Sequence, residues 1–87
     1  MAKGALNAFT RSAAVGLAPR VRVNAVALGA ILPPLGRDAS YLKQLAKSIP
    51  LRRTGDPDLV ADAVLFLLRS DFITGEILRL NGGADLA

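Results

Sequence analysis

The sequence predicts an α/β fold in which two parallel strands and about three helices form part of a larger, doubly wound sheet. The hydrophobic patterns run in the order helix, strand, helix, helix, strand. Both strand segments are rich in apolar residues, and the first becomes wholly apolar toward its end, as in parallel sheets covered on both faces. A sheet of two strands leaves open edges. In a chain of 87 residues, the stabilisation from buried apolar surface is about equal to the conformational entropy cost of folding. We therefore expect the chain to be part of a larger α/β sheet.

The first helix is predicted over residues 2–18, where apolar residues recur at spacings of four and three. This apolar stripe consists of Ala2, Leu6, Phe9, Ala13 and Leu17. Pro19 ends the helix because its ring cannot continue the helical hydrogen bonds. The sequence then becomes apolar up to Gly29, which predicts a short buried strand over residues 21–28.

A loop and a second helix follow the first strand. Residues 30–36 include the pair Pro33–Pro34, which continues neither a strand nor a helix. A helix is predicted over residues 38–47, and it places Tyr41, Leu42 and Leu45 on one side. Pro50 lies shortly beyond its end.

The third helix has the clearest local signal in the chain. Asp56 is a natural N-cap, Pro57 suits the first helical position, and Asp58 lies in the first turn, where a negative charge is favoured. The helix is predicted over Pro57–Arg69 and is apolar around most of its circumference, so we expect it to be deeply buried. A second strand is predicted over residues 76–80, and a right-handed crossover makes the two strands adjacent and parallel.

Composition excludes several kinds of function. The chain has no Cys and no His, which excludes disulfides, structural zinc, thiol or imidazole catalysis and a serine triad. Capping explains Asp56 and Asp58 without a metal, so no metal site is predicted. The net charge is +4, but the basic residues do not alternate with aromatic ones, so no nucleic-acid partner is predicted.

The charge distribution also bears on location. Up to residue 37 the chain has five basic residues and no acidic one, which is typical of a mitochondrial presequence, but the strand-like segment after Pro19 argues against one. The longest uncharged run, residues 23–36, is short and interrupted by prolines, so no membrane span is predicted. A cytoplasmic location is expected.

Several short motifs occur in a characteristic order along all 87 residues. They are Met1-Ala2-Lys3-Gly4-Ala5-Leu6, Leu17-Ala18-Pro19, Val21-Arg22-Val23-Asn24, Gly29-Ala30-Ile31, Ile49-Pro50-Leu51, Arg53-Thr54-Gly55, Thr74-Gly75-Glu76 and Gly82-Gly83. Together they resemble the short-chain dehydrogenase/reductases, and the opening and the Pro33–Pro34 loop are most similar to the pteridine-reductase-like branch. The resemblance implies that residues 1–87 are a C-terminal fragment of a Rossmann-like, dinucleotide-binding oxidoreductase domain.

The resemblance also implies site residues. Lys3 matches the lysine of the family's catalytic Tyr-x-x-x-Lys pair, which lowers the pKa of the tyrosine and holds the nicotinamide ribose. Gly29 would let a nicotinamide ring approach the backbone, and Ile31 would offer main-chain groups. The cofactor implied is NAD or NADP. From the residues alone, Lys3 is better explained as a solvated surface charge in the first helical turn. Gly29 is explained equally well as a glycine that ends a strand.

The chain also departs from the family pattern. Leu28 stands where the family has proline, Pro33 where many members have threonine, and Asn81 where aspartate is usual. No Gly-rich turn or catalytic serine is matched in these 87 residues, and the tyrosine would fall before Met1. We therefore expect this chain alone to catalyse no hydride transfer and to bind the cofactor weakly.

Two functional hypotheses remain. In the first, the chain derives from a NAD(P)-dependent oxidoreductase that reduces carbonyl or pteridine compounds by hydride transfer. In the second, it is a non-catalytic short protein that acts by associating with another subunit. Both predict self-association or binding to a related subunit, because the first-helix stripe and the strand edges are otherwise exposed.

Overall fold

The computed structural model describes residues 3–29, 31, 36 and 38–86, and for Lys3 it describes only the backbone. Its elements are α1 (Lys3–Leu17), β1 (Ala25–Leu28), α2 (Ala39–Ala46), α3 (Pro57–Arg69), β2 (Ile77–Leu80) and a short 3₁₀ helix (Ala84–Leu86). Their order and kinds confirm the predicted α/β fold. The predicted Pro33–Pro34 loop and the Ala2 end of the first helix lie outside the described residues.

The two strands form a parallel sheet, as predicted. Ala25 pairs with Ile77, and the register continues to Leu28 opposite Leu80. Each strand is shorter than predicted, because the residues before it are held by side chains rather than by the sheet ladder. The side-chain carbonyl of Asn24 accepts a hydrogen bond from the Glu76 nitrogen at 3.0 Å, and its amide donates to the Ile73 carbonyl at 3.0 Å.

Arg22 joins the start of β1 to the end of α3. Its guanidinium donates to the main-chain carbonyls of Leu67 and Ser70 at 2.8 and 2.9 Å, and to that of Leu68 at 3.1 Å. The nitrogen that binds Leu67 and Ser70, Nη1, also donates to the Ile73 carbonyl at 3.4 Å. The carbonyls at the end of a helix carry partial negative charge, so this cation stabilises the helix terminus.

The two long helices lie on opposite faces of the sheet. Leu6 of α1 and Ala27 of β1 line one hollow, whereas Leu67 of α3 and Val26 of β1 line another. Neighbouring residues of a strand face opposite sides, so Val26 and Ala27 place the helices in separate layers. This arrangement is one end of a three-layer α/β sandwich.

The predicted deep burial of α3 is wrong. Leu67 is its one buried residue, while Phe66 is 54% exposed and Leu68 is 65% exposed. A two-stranded sheet covers only one side of a helix that packs on it. The apolar side chains on the other sides of α3 therefore remain exposed. The strands are likewise only half-buried, and Leu28 is exposed.

The inward face of α1 also differs from the predicted stripe. Thr10 and Ala14 are buried, whereas Phe9 and Leu17 of the stripe are exposed. The reason is a close contact with the turn before β2, because a Cβ at Gly75 would lie 3.4 Å from the Ala14 Cβ. Small side chains are needed at that contact, and the larger apolar residues are turned away from it.

The predicted cap of α3 is confirmed, and the structure adds a cap at the start of α2. Asp56 accepts a hydrogen bond from the Leu59 nitrogen at 3.1 Å, and Asp38 accepts one from the Ser40 nitrogen at 3.0 Å. The Ser40 hydroxyl also donates to Asp38, and these two bonds lower the pKa of the Asp38 carboxyl. A lowered folded-state pKa means that the capping contribution is present at neutral pH and is lost as the pH falls through that value.

The cap of α3 gives a direct test of the local energetics. Asp56→Ala removes the acceptor of the Leu59 N–H, so we expect the free energy of unfolding to fall by about 1 kcal/mol. Asp56→Asn retains an acceptor oxygen and is expected to keep most of the stabilisation that the cap supplies. Urea titrations followed by circular dichroism, at one fixed chain concentration, measure both. Equal stabilities for Asp56→Ala and the original chain would contradict the capping role.

Candidate functional site

The candidate site is the carboxyl edge of the sheet, where Gly29 follows β1 and Asn81 follows β2. In open parallel α/β sheets, ligands bind at this edge. The Gly29 nitrogen donates to the Leu80 carbonyl at 2.9 Å, which extends the sheet hydrogen bonding by one residue. The two strand ends therefore meet closely at the point where a ligand would approach.

Gly29 has no side chain because Asn81 occupies the space. An added Cβ at position 29 would lie 2.8 Å from both the Cα and the Cβ of Asn81. This contact within the chain is sufficient to explain a glycine at that position. Its N–H is already used in the sheet, so the part of Gly29 that a cofactor could approach is its Cα and carbonyl. The cofactor-binding role of Gly29 remains a prediction.

Ile31 lies in an apolar cleft of about 260 Å³ beneath this edge. Its Cδ1 is so close to Gly55 that an added Cβ there would be 2.6 Å away. The cleft is lined mainly by Ile31, Ile49, Leu51, Leu59 and Leu80, with Arg53, Thr54 and Asn81 as polar members. Ile31 therefore contributes a packed side chain, and its predicted main-chain role is left as a prediction.

The segment between α2 and α3 forms the opposite wall of the cleft. The Leu51 nitrogen donates to the Gly82 carbonyl at 3.0 Å, which ties this segment to the end of β2. Arg52 has a φ of 59° and donates through its guanidinium to the Lys47 carbonyl. Gly82 has a φ of 62°, and a Cβ there would lie 2.7 Å from the Ile49 Cγ2. Glycine is thus required at position 82 for both conformation and space.

Lys3 is the first residue of α1, and its side chain lies outside the described part of the structure. The next turn of α1 does reach the candidate site. Leu6 and Asn7 line a second hollow, of about 150 Å³, together with Gly29 and Asn81. The beginning of α1 and the carboxyl edge of the sheet are therefore brought to the same side of the molecule.

Asn81 is the residue whose position the sequence-based site prediction missed. It lines both hollows, and its Oδ1 accepts a hydrogen bond from the Gly83 nitrogen at 3.0 Å. Asparagine side chains often accept a hydrogen bond from the main-chain nitrogen two residues later, which forms an Asx turn. The Asn81-Gly82-Gly83 sequence was therefore sufficient to predict this turn. Nearby, Arg79 Nε lies 3.8 Å from Asp85 Oδ2.

The structure also bears on metals and membranes. Among residues 3–29, 31, 36 and 38–86, no three acidic side chains come together as a metal site would require. Within the same ranges, no helix is both long and apolar enough to cross a membrane.

Comparison with known proteins identifies the family to which the chain belongs. A family model described as enoyl-(acyl carrier protein) reductase matches residues 1–85. The chain is 46% identical over 86 residues to carbonyl reductase family member 4 of Danio rerio, covering 97% of this chain and 35% of that protein. The chain belongs to the short-chain dehydrogenase/reductase family.

Solved structures agree with this assignment. The FolM alternative dihydrofolate reductase 1 of Brucella suis, in complex with NADP, superposes with a TM-score of 0.89 at 35% identity, over 98% of this chain and 34% of that one. A short-chain dehydrogenase family protein of Francisella tularensis superposes with a TM-score of 0.81 at 33% identity, over 98% of this chain and 42% of that one. The chain thus spans about a third of the length of the curated relatives and of the Brucella reductase.

Gly29 provides a test of the contact at the sheet edge. Gly29→Ala would force its Cβ against Asn81, so we expect the free energy of unfolding to fall by about 1–3 kcal/mol. The control is Gly16→Ala, since no atom lies within 4 Å of the Cβ added there. Alanine in a helix is favoured over glycine, so this control is expected to hold or gain stability. Urea titrations at equal concentration compare them, and a neutral Gly29→Ala would contradict the close approach.

Proposed function

We propose that this chain forms the C-terminal part of a NAD(P)-dependent oxidoreductase that reduces carbonyl or pteridine compounds by hydride transfer. The observation that carries the proposal is the similarity to a reductase in complex with NADP, at 35% identity and a TM-score of 0.89. Identity of 46% to a carbonyl reductase supports the carbonyl class. The Brucella protein, named a dihydrofolate reductase, supports the pteridine class.

The nicotinamide end of the cofactor fits the residues at the sheet edge. When bound, the cofactor supplies or accepts the hydride. Gly29 is exposed and lines the hollow of about 150 Å³ together with Leu6 and Asn7. Ile31 would present main-chain groups beyond it, and Lys3 would supply a positive charge from the first turn of α1.

The 87 residues by themselves are proposed to be inactive. Reduction of a carbonyl requires a proton donor within hydrogen-bond reach of its oxygen, and the chain has no match to the family's catalytic tyrosine or serine. The pyrophosphate is normally held by a Gly-rich turn at a helix N-terminus, and the sequence has no match to that turn. Lys3, Gly29 and Ile31 would contact only one end of the cofactor.

The first experiment uses the 87-residue chain alone. We expect calorimetric titration with NADPH or NADH to show no sub-millimolar binding, since contacts to one end must offset about 4 kcal/mol or more of lost motional freedom. An absorbance assay with carbonyl and pterin substrates is expected to show no turnover. Micromolar binding, or turnover that disappears in Lys3→Ala, would contradict the proposed inactivity.

The complementary arm supplies the missing groups. A chimera joins the preceding two-thirds of the Brucella suis reductase to these 87 residues, and we expect it to oxidise NADPH. Lys3→Ala should abolish that activity, while Lys43→Ala, on exposed α2, should leave it unchanged. A folded, NADPH-binding chimera without turnover, or one indifferent to Lys3→Ala, would count against the proposed function.

Self-association is the second proposed role, favoured by the apolar surface. Phe72 is 99% exposed, and Phe66 and Leu68 on α3 are more than half exposed. Large apolar side chains exposed to this extent are more than an isolated surface residue, and they favour an interaction surface. The occupant of this surface is proposed to be a second copy of the chain or a related subunit.

We expect light scattering at micromolar concentration to show oligomers. Phe66→Glu combined with Leu68→Glu places charges on the two exposed sides of α3 that flank the buried Leu67, and should shift the chain toward monomer. Gln44→Glu, which adds a charge on α2, is the matched control and should not. A stable, cooperatively melting monomer of the original chain would contradict this role.

A further inference from the structure

Asn81 differs chemically from the other two asparagines of the chain. It is followed by Gly82, whereas Asn7 and Asn24 are each followed by alanine. A glycine has no Cβ, so its main-chain nitrogen is open to approach from a neighbouring group. In an Asn-Gly pair, that neighbouring group is the asparagine carboxamide itself.

The turn after β2 brings these two groups together. Asn81 Oδ1 accepts a hydrogen bond from the Gly83 nitrogen at 3.0 Å, so the side chain folds back along the chain across the peptide that joins residues 81 and 82. The same bond withdraws electron density from the carboxamide carbon. It would also stabilise the negative oxygen that forms when a nucleophile attacks that carbon.

The Gly82 nitrogen is available to react. Within the described part of the chain, the hydrogen bonds around this turn are donated by Leu51, Gly83 and Ala84, and none is donated by Gly82. Asn81 is half-buried and lines two hollows, of about 260 and 150 Å³. Water can therefore reach the carboxamide, and ammonia can leave.

The other asparagines lack these features. Both side-chain polar atoms of Asn24 are hydrogen-bonded, and the Ala25 nitrogen donates to the Glu76 carbonyl at 2.9 Å. Asn7 lies inside α1, where main-chain nitrogens donate along the helix. The fold thus restrains Asn7 and Asn24 and leaves Asn81 poised.

We propose that Asn81 is a site of self-catalysed deamidation in the folded chain. The Gly82 nitrogen loses its proton to solvent base and attacks Asn81 Cγ, forming a carbon–nitrogen bond. The Nδ2 group takes a proton from water and leaves as ammonia, which gives a cyclic imide. A second water opens the imide to aspartate or isoaspartate, and no electron is gained or lost.

The products change the cleft in two ways. Aspartate places a carboxylate among the cleft residues Arg53 and Arg79 and lowers the formal net charge of +4 by one. It also keeps the Gly83 hydrogen bond, now to a charged acceptor. Isoaspartate lengthens the main chain between β2 and Gly82, which displaces the Gly82 carbonyl from the Leu51 nitrogen.

The test follows all three asparagines in one sample. The folded 87-residue chain is incubated at mildly alkaline pH, and peptide mass spectrometry measures the amide-to-acid conversion at each position, with isoaspartate detected by enzymatic methylation. We expect Asn81 to convert while Asn7 and Asn24 keep their amides. A parallel sample in urea reports the same sequence without the fold. An intact Asn81 in the folded chain, under conditions that convert it in urea, would overturn the proposal.

A variant identifies the source of the acidic product. Deamidation of the original chain is expected to give a more acidic species that ion-exchange chromatography separates. Asn81→Gln keeps a side-chain amide, but its cyclic imide would need a six-membered ring, so we expect this acidic species to disappear. Persistence of that species in Asn81→Gln would also overturn the proposal. Asn81→Asp marks the elution position of the aspartate product. Gly82→Ala is unsuitable, because its Cβ would lie 2.7 Å from Ile49 Cγ2 and would disturb folding.

Discussion

The guanidinium of Arg22 is the interaction on which the arrangement of this chain depends. It binds carbonyls at the end of α3 and in the segment that leads to β2, which lie 45 to 51 residues away in sequence. Arginine is suited to this position because its planar fork offers several donors that stay charged at any physiological pH. A lysine would offer a single point of attachment. The crossover helix is thereby fixed to the strand that it must cover.

The candidate site lies at the opposite end of the same two strands. Asn24 fixes the amino ends of the strands, and the contact of Gly29 with Asn81 fixes the carboxyl ends. Because the register is set at both ends, the hollows beside Gly29 and Ile31 have defined walls. The geometry of the carboxyl edge thus depends on the local contact of Gly29 with Asn81 and on hydrogen bonds made at the opposite ends of the strands.

Local signals in the sequence were sufficient to predict the helices and strands, but not to predict which side of each element is buried. The start of α3 follows from Asp56 and Pro57, since capping acts over a few residues. Its burial could not be predicted, because a helix that is apolar all round does not show which side is covered. The hydrogen bonds of Arg22 were not predicted from the sequence. Its partners are main-chain carbonyls of another element, which leave no trace in side-chain patterns.

The exposed apolar residues show what the folded elements still require. Leu65, Phe66 and Leu68 of α3 are apolar yet uncovered, and the sheet has two strands whose apolar sequences suit burial on both faces. Covering them requires more protein, supplied either by the rest of an α/β domain or by another subunit. A catalytic domain and an associating chain would therefore place the same physical demand on this surface. The carboxyl edge is the feature that distinguishes the two roles. Association with a covering subunit does not require a hollow beside Gly29, whereas cofactor binding in a catalytic domain does.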